Sequence, residues 1–202
     1  EAGLRGAHGR LTWHGGMFHA ENRDDILFVL SDQTGFGYFR NVGQTRRQGL
    51  EAGARLRTGR ATVGVEYTFL HATFQSEETL NGEGNSSNEE AQDGAQGLDG
   101  EIEVEPGDQL PLIPRHMLKV FADLDIAPRL SVNLNAVGIG SSYARGNENN
   151  DHEASEPYYP GDGSAAAYAV VNLGVRYGLT SRLDVLAQFN NLFDRTYATA
   201  AQ

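Results

Sequence analysis

Apolar and polar residues alternate along most of the chain with a period of two. In one clear stretch every second residue is apolar: Val63, Val65, Tyr67 and Phe69. Side chains of a β-strand point alternately to its two faces, so such a row marks one face of a strand. Further rows of this kind begin at Leu50, Leu118, Leu130, Ala169 and Leu183. No stretch shows a convincing helical period, and the pattern predicts an all-β protein.

About eight strands follow from these rows and the turn-like residues between them. They are placed at residues 2–7, 10–30, 38–57, 60–76, 113–126, 129–145, 166–178 and 182–192. Short links alternate with long polar ones, which is typical of an up-and-down antiparallel meander with all its tight turns at one end. The long links fall at about 31–37, 77–112 and 146–164. Gly15 and Gly16 predict a bulge or bend in the second strand, because the apolar row loses its phase at Phe18.

The two faces of the predicted strands differ, and two interpretations compete. A soluble sheet would turn its apolar face to a protein core, whereas a barrel wall in lipid is apolar outside and polar inside. No helix or second sheet is predicted that could cover the apolar rows. Aromatic residues also fall near the strand ends, where membrane barrels carry aromatic girdles: Tyr67, Phe69, Tyr143, Tyr177 and Phe189. The pattern favours the membrane barrel, with a soluble sugar-binding sandwich as an alternative.

Composition narrows the function classes. The 202 residues include no cysteine, which excludes disulfide scaffolds, thiolate zinc sites and cysteine nucleophiles. The formal net charge is -11, which argues against nucleic-acid binding. Residues 77–110 contain eleven acidic side chains and no Lys or Arg. There is no visible signal peptide and no apolar run of about 20 residues that could form a membrane helix.

Four segments resemble, in order, segments of the barrel of TonB-dependent outer-membrane receptors. ENRDDI at residues 21–26 resembles x-N-x-x-D-x-I, and NVGQTRRQGLE at 41–51 resembles NVG-x-(S/T)-x-x-x-G-x-E. LIPRHML at 112–118 resembles the (I/T)P-(R/K)-H opening of a late barrel strand. NNLFDRTY at 190–197 resembles the NLFD-(K/R)-x-Y segment near the C-terminus. Together the four segments span almost the whole chain.

The resemblance implies a 22-stranded transmembrane β-barrel whose lumen holds an N-terminal plug domain. Such receptors import scarce nutrients, mostly ferric siderophores and sometimes haem, cobalamin or oligosaccharides, with energy supplied through TonB acting on the plug. Residues 1–202 would then be an open, C-terminal segment of about eight strands, without the plug and the TonB box. The implied partners are outer-membrane lipid, lipopolysaccharide and the nutrient chelate, with TonB acting only through the missing plug. We expect no cofactor, no enzymatic activity and no nucleic-acid partner.

The candidate ligand contacts lie on the third long link. Tyr158 and Tyr159 stand between two prolines, and exposed tyrosines on a long loop can hold a ligand by stacking and hydrogen bonding. Extracellular loops line the ligand entrance in the family that the chain resembles. Arg145, Tyr158 and Tyr159 are therefore the predicted ligand-binding residues. The plainer interpretation is a solvated loop with surface aromatics.

The sequence gives little support for a metal site or for catalytic residues. The acidic link has carboxylates at alternate positions Glu101, Glu103 and Glu105, which makes a calcium site conceivable, but EF-hand spacing is absent and a solvated loop is favoured. The six histidines form no H-E-x-x-H motif, and we predict neither catalytic nor metal-ligating residues. Two alternatives stay open: a complete eight-stranded barrel with a structural or adhesin role, and an outer-membrane hydrolase barrel.

Overall fold

The structure is a computed structural model that describes residues 1–30, 37–82, 87–88, 100–152 and 161–200. The described residues form twelve β-strands: β1 (Ala2–His8), β2 (Leu11–Leu30), β3 (Gly37–Thr58), β4 (Ala61–Phe74), β5 (Glu78–Asn81), β6 (Glu101–Val104), β7 (His116–Ala127), β8 (Leu130–Ile139), β9 (Ser142–Tyr143), β10 (Ser164–Ala165), β11 (Tyr168–Gly178) and β12 (Asp184–Phe189). Helices long and apolar enough to cross a membrane are absent from this part of the chain.

Eight of the strands form one antiparallel sheet in the order β1-β2-β3-β4-β7-β8-β11-β12. The remaining four form two small hairpins: β5–β6 lies inside the second long link, and β9–β10 lies at the two ends of the third. The predicted up-and-down meander of about eight strands is confirmed. Within the described residues β1 and β12 are the two edges of this sheet and do not pair with each other. The alternative of a closed eight-stranded barrel is therefore wrong.

The strand register joins the apolar rows into continuous bands. One row of directly paired residues crosses seven strands and is apolar throughout: Leu11, Leu56, Val63, Ala122, Leu134, Leu173 and Phe189. The neighbouring row on the other face has no large apolar residue: Arg57, Thr62, Asp123, Asn133, Gly174 and Gln188. A slip of one residue would exchange the two faces, so the alternation in each strand specifies this register.

The apolar face is not covered by any other layer of the described chain. Large side chains in its middle, such as Val65, Val120 and Leu134, are about 40% exposed. Soluble proteins rarely expose contiguous apolar patches larger than a few hundred Å². Apart from the two-stranded hairpins β5–β6 and β9–β10, the described residues form no second sheet of the kind that a soluble sandwich would need. The apolar face thus has the character expected of a lipid-facing wall.

The polar face of the sheet bears a cleft, and we call it the concave face and the apolar face the convex face. This cleft of about 430 Å³ crosses β4, β7, β8, β11 and β12, and its lining includes Thr62, Asp123, Asn133 and Gln188. Polar pairs tie neighbouring strands here: Asn133 Nδ2 donates to Asp123 Oδ1 over 2.6 Å, and Asn172 Nδ2 donates to Asn135 Oδ1 over 3.1 Å. This concave polar face is the side that would line a barrel lumen.

The second strand has no bulge at Gly15 and Gly16, and the predicted loss of phase there is wrong. The pairing of β2 with β3 continues without interruption through both glycines, and Met17, opposite Leu50, keeps the apolar row in phase. Phe18 points to the other face, where it pairs with Gly49. A large ring on that face is accommodated because Gly49 has no side chain, so Phe18 is an inward-pointing aromatic in a strand that keeps its phase.

Candidate functional site at the long-loop end

A small protein core lies at the end of the sheet from which the long links emerge. The hairpin β5–β6 packs there on the upper parts of β2, β3 and β4, and its buried apolar side chains are Leu80, Ile102 and Val104. They meet Val42 and Phe74, both at most 1% exposed. Full burial of such side chains contributes on the order of 2 kcal/mol each. The described parts of residues 77–110 are therefore held by a hydrophobic core, although the segment as a whole is highly acidic.

Side-chain amides connect the second and third long links. Asn149 Nδ2 donates to the backbone oxygen of Ser87 over 2.8 Å, and Ser87 Oγ donates to the backbone oxygen of Gly146. The backbone N–H of Gln109 donates to Asn150 Oδ1 over 2.7 Å, and Asn150 Nδ2 returns a bond to the oxygen of Gln109. These bonds join segments that are some 40 to 60 residues apart in sequence. We call residues 144–152, together with Ser87, Asn88 and Gln109, the loop cap.

Two carboxyl groups in and beside the loop cap have raised pKa values. Burial raises the pKa of Glu148, which is 6% exposed and whose Oε1 accepts the backbone N–H of Gly146 over 3.1 Å. Burial also raises the pKa of Asp108, and the negative charges of Asp151 and Glu105 act in the same direction. Raised carboxyl pKa values mean that the folded cap binds protons more tightly than the unfolded chain does.

The loop cap should therefore lose stability as the pH rises. The stability that protonated Glu148 contributes is fully present below its ordinary pKa and is lost as the pH passes its raised pKa, because the buried carboxylate is then charged. Glu148→Gln should reduce this pH dependence and slow amide hydrogen exchange across residues 144–152 at neutral pH. Asp162→Asn, an exposed carboxyl in the neighbouring segment, is the control. Unchanged exchange in Glu148→Gln would contradict the prediction.

The structure describes one of the three predicted ligand contacts. Arg145 is half-buried in the loop cap, and its guanidinium carbon lies 4.6 Å from the ring centroid of Phe28 on β2. Phe28 in turn packs edge-on against Phe39, with ring centroids 5.4 Å apart. Tyr158 and Tyr159 lie outside the described residues. Sequence reasoning missed Phe28, whose partner Arg145 is 117 residues away in the chain.

The alternating carboxylates of the acidic link have a structural explanation. Glu101 and Glu103 are the exposed side chains of β6, and Ile102 and Val104 are its buried ones. The spacing of the carboxylates is thus that of an amphipathic strand. Among the described residues, no group of three or more His, Cys, Asp or Glu side chains is arranged to hold a metal ion.

Comparison with known proteins agrees with this geometry. The family model described as TonB dependent receptor-like, beta-barrel matches residues 1–192. No curated protein sequence matches the chain at a significant level.

Solved structures of such receptors share its fold. The ferric yersiniabactin uptake receptor FyuA of Yersinia pestis is 19% identical with a TM-score of 0.66, over 98% of this chain and 25% of that one. The ferric citrate transporter FecA is 20% identical with a TM-score of 0.63, over 96% and 26%. The copper transporter OprC is 17% identical with a TM-score of 0.61, over 98% and 25%.

The chain spans about a quarter of the length of these solved structures. The family model covers nearly all of it. Three of the four segments, Glu21–Ile26, Asn41–Glu51 and Leu112–Leu118, lie within the matched range, and Asn190–Tyr197 begins at its end. The open antiparallel sheet, its uncovered apolar face and its polar concave face are what one sector of a barrel wall requires. The chain belongs to the family of TonB-dependent receptors, as part of their β-barrel domain.

Proposed function

We propose that the chain is a wall segment of an outer-membrane importer whose substrate is a ferric siderophore. The observation that carries this proposal is the apolar band on the convex face, uncovered across all eight strands, opposite a polar concave face. Two of the three structures named above take up ferric complexes according to their descriptions, and the third transports copper. Family membership and the two unlike faces together support an importer in a bilayer.

Each surface then has a role in transport. Lipid and lipopolysaccharide surround the convex face, and a plug domain, which is not part of this chain, occupies the concave side. TonB acts on that plug and has no role at the wall. The wall itself needs no catalytic group, since the work of import is done by TonB. The acidic and Asn-rich links form the outer entrance.

The proposed ligand contacts are Arg145, Tyr158 and Tyr159. Arg145 brings a positive charge to the outer entrance, and its half-buried guanidinium is oriented by the Phe28 ring. A siderophore complex that carries negative charge would be attracted by this guanidinium, and tyrosine rings would stack on its aromatic or chelating groups. The second link around the same entrance is strongly acidic and would repel an anionic ligand. The positive charge of Arg145 opposes that repulsion.

Uptake by whole cells tests the proposal. Cells that lack the gene would be complemented with the full gene product and supplied with radioactive ferric siderophore under iron limitation, with and without functional TonB. We expect uptake only when both the gene product and TonB are present. Recovery of the protein in the soluble fraction, or uptake that does not need TonB, would overturn the proposal. Uptake of a copper complex in place of the ferric one would overturn the assigned substrate.

Substitution of the ligand contacts gives a more local prediction. Arg145→Ala and the double change Tyr158→Ala with Tyr159→Ala should each raise the KM for uptake by about tenfold, because each removes about 1.4 kcal/mol of ligand contact. The maximal rate should change little, since transport through the wall is untouched. Arg182→Ala, at the short-turn end, is the control. An unchanged KM in all variants would place the ligand elsewhere.

A further inference from the structure

Three arginine side chains gather on the concave face near the short-turn end of the sheet. Arg55 and Arg57 are two residues apart on β3, and Arg55 pairs with Thr12 of β2. Arg5 of β1 pairs with His14, which is two residues from Thr12 on β2. Residues two apart on a strand share a face, so the three arginines belong to one patch of the wall. All three are exposed, and we call them the inner arginines.

The guanidinium of Arg55 lies on an aromatic ring. Its carbon is 5.2 Å from the ring centroid of Phe121 on β7. The ring reaches across β4 because Gly64, which pairs with both Arg55 and Phe121, has no side chain, and a Cβ there would overlap the ring. A guanidinium stacked on a ring keeps the N–H groups of its edge for an anion. The arrangement repeats that of Arg145 on Phe28 at the outer entrance.

The inner arginines have no acidic partner in the part of the chain that the structure describes. Glu66, the diagonal neighbour of Arg55 on β4, is turned to His14, whose Nε2 lies 3.2 Å from Glu66 Oε2. Arg176, elsewhere on the same face, is paired, with its Nη2 2.5 Å from Oδ2 of Asp184. The inner arginines are thus uncompensated positive charge on the concave face.

A cavity of about 740 Å³ opens beside these side chains, and its lining includes Arg5, Thr12, His14, Arg55 and Glu66. Sites for small molecules typically measure about 300–1,000 Å³, so the space suits a chelate complex. Guanidinium, hydroxyl and imidazole groups can all donate hydrogen bonds to anionic oxygen atoms. Because the arginines are exposed, solvent screens their charge, and an anion would be held weakly. Weak binding is what a site on the way through a wall requires.

We propose that the inner arginines form a transient second site for the anionic ferric complex, on the lumenal wall near the periplasmic exit. This inference rests on the proposed function and on the long links facing outwards. After leaving Arg145 at the entrance, an anionic complex would meet Asp123 and Asp125 on the concave face at the short-turn end. These carboxylates repel it. The inner arginines offset that repulsion and favour passage along β1, β2 and β3.

Uptake kinetics of the full gene product in iron-limited cells test the proposal. Arg55→Gln with Arg57→Gln should lower the maximal rate about fivefold and leave KM unchanged, because two exposed charge contacts are lost away from the entrance. Arg10→Gln with Arg60→Gln is the matched control, since it removes the same charge from exposed positions in two tight turns at this end. The control should import at the normal rate. An unchanged maximal rate in the first variant, or an equal loss in both, would overturn the proposal.

A leak assay separates cargo binding from attachment of the plug. If the inner arginines held carboxylates of the plug, their replacement would loosen it. A large antibiotic that the outer membrane excludes would then enter the cells. We expect cells with Arg55→Gln and Arg57→Gln to be no more susceptible than cells with the unsubstituted protein. Raised susceptibility would assign these arginines to the plug and overturn the proposal.

Binding of citrate, a small polycarboxylate, separates failure of this site from failure of the proposed substrate. The 202 residues contain no cysteine, so Thr12→Cys can carry a fluorophore beside Arg55. In the purified full gene product, citrate should change its emission saturably. Added salt should weaken the effect, and Arg55→Gln with Arg57→Gln should abolish it. A missing effect would overturn the site. Citrate binding without any ferric siderophore uptake would refute the proposed function and leave the anion site standing.

Discussion

Replacement of Leu134 by arginine is expected to prevent stable assembly of the sheet in a bilayer. Leu134 lies in the middle of β8, on the apolar row that crosses seven strands, and is 41% exposed on a face that no described residue covers. An arginine at the midplane of a lipid-facing barrel wall costs about 2–4 kcal/mol. Urea titration of the full gene product refolded in lipid should show this loss, and folded protein in outer membranes should decrease.

The neighbouring residue provides a matched control of opposite orientation. Asn133 lies on the concave face, where its amide bonds to Asp123 Oδ1, so Asn133→Arg places its charge beside a carboxylate. We expect that variant to unfold within about 0.5 kcal/mol of the unsubstituted protein, as surface changes usually do. If Asn133→Arg were as damaging as Leu134→Arg, or if both were harmless, the assignment of the two faces would be wrong.

The sheet could be predicted from the sequence because its determinants are local. Each strand carries its own alternation, and when neighbouring strands are paired with apolar residues on one side, few registers remain. Residues 61–70 illustrate this: their alternation alone predicted which residues of β4 share a face, and the pairing of Val63 with Leu56 and Ala122 agrees. The order of strands followed from the alternation of short and long links.

The long-loop end could not be predicted in the same way. The contact of Arg145 with Phe28 and the bonds from Asn149 to Ser87 join residues that no periodic pattern relates. One part of this end does carry a local sequence signal, the strand β6. The run Glu101–Val104 alternates acidic with β-branched residues, and this is the pattern of an amphipathic strand as well as of clustered carboxylates.

The structure explains two residues of the C-terminal motif NNLFDRTY at 190–197. Asn191 has a positive φ of 51°, its N–H donates to Asn172 Oδ1 over 2.9 Å, and its side chain bonds both the N–H and the C=O of Arg195. Tyr197 then stacks on Tyr168 of β11 with ring centroids 4.4 Å apart. The asparagine and the tyrosine of NNLFDRTY thus hold this turn against the preceding strand, which neither spacing nor periodicity would reveal.

The second large effect on stability is expected at Gly49 of β3, which pairs with Phe18 of β2 on the polar face of the sheet. A Cβ at this position would overlap the carbonyl oxygen of Phe69 on β4 and lie 2.8 Å from Cζ of Phe18 on β2. The clash with backbone cannot be relieved by a side-chain rotation, so β3 would have to move away from β4 locally. We expect Gly49→Ala to destabilise the protein by about 2–3 kcal/mol, as overpacking does.

Gly15→Ala is the matched control on the adjoining strand β2. Its added Cβ would meet only the oxygen of Glu51, at 3.8 Å, which is ordinary van der Waals contact. This substitution should be neutral or stabilising by about 0.5 kcal/mol, because alanine restricts the unfolded chain. Urea unfolding of both variants in lipid measures the difference. Equal stability would show that the backbone of β4 does not approach Gly49 of β3 as closely as the structure has it, and the overpacking argument would fail with it.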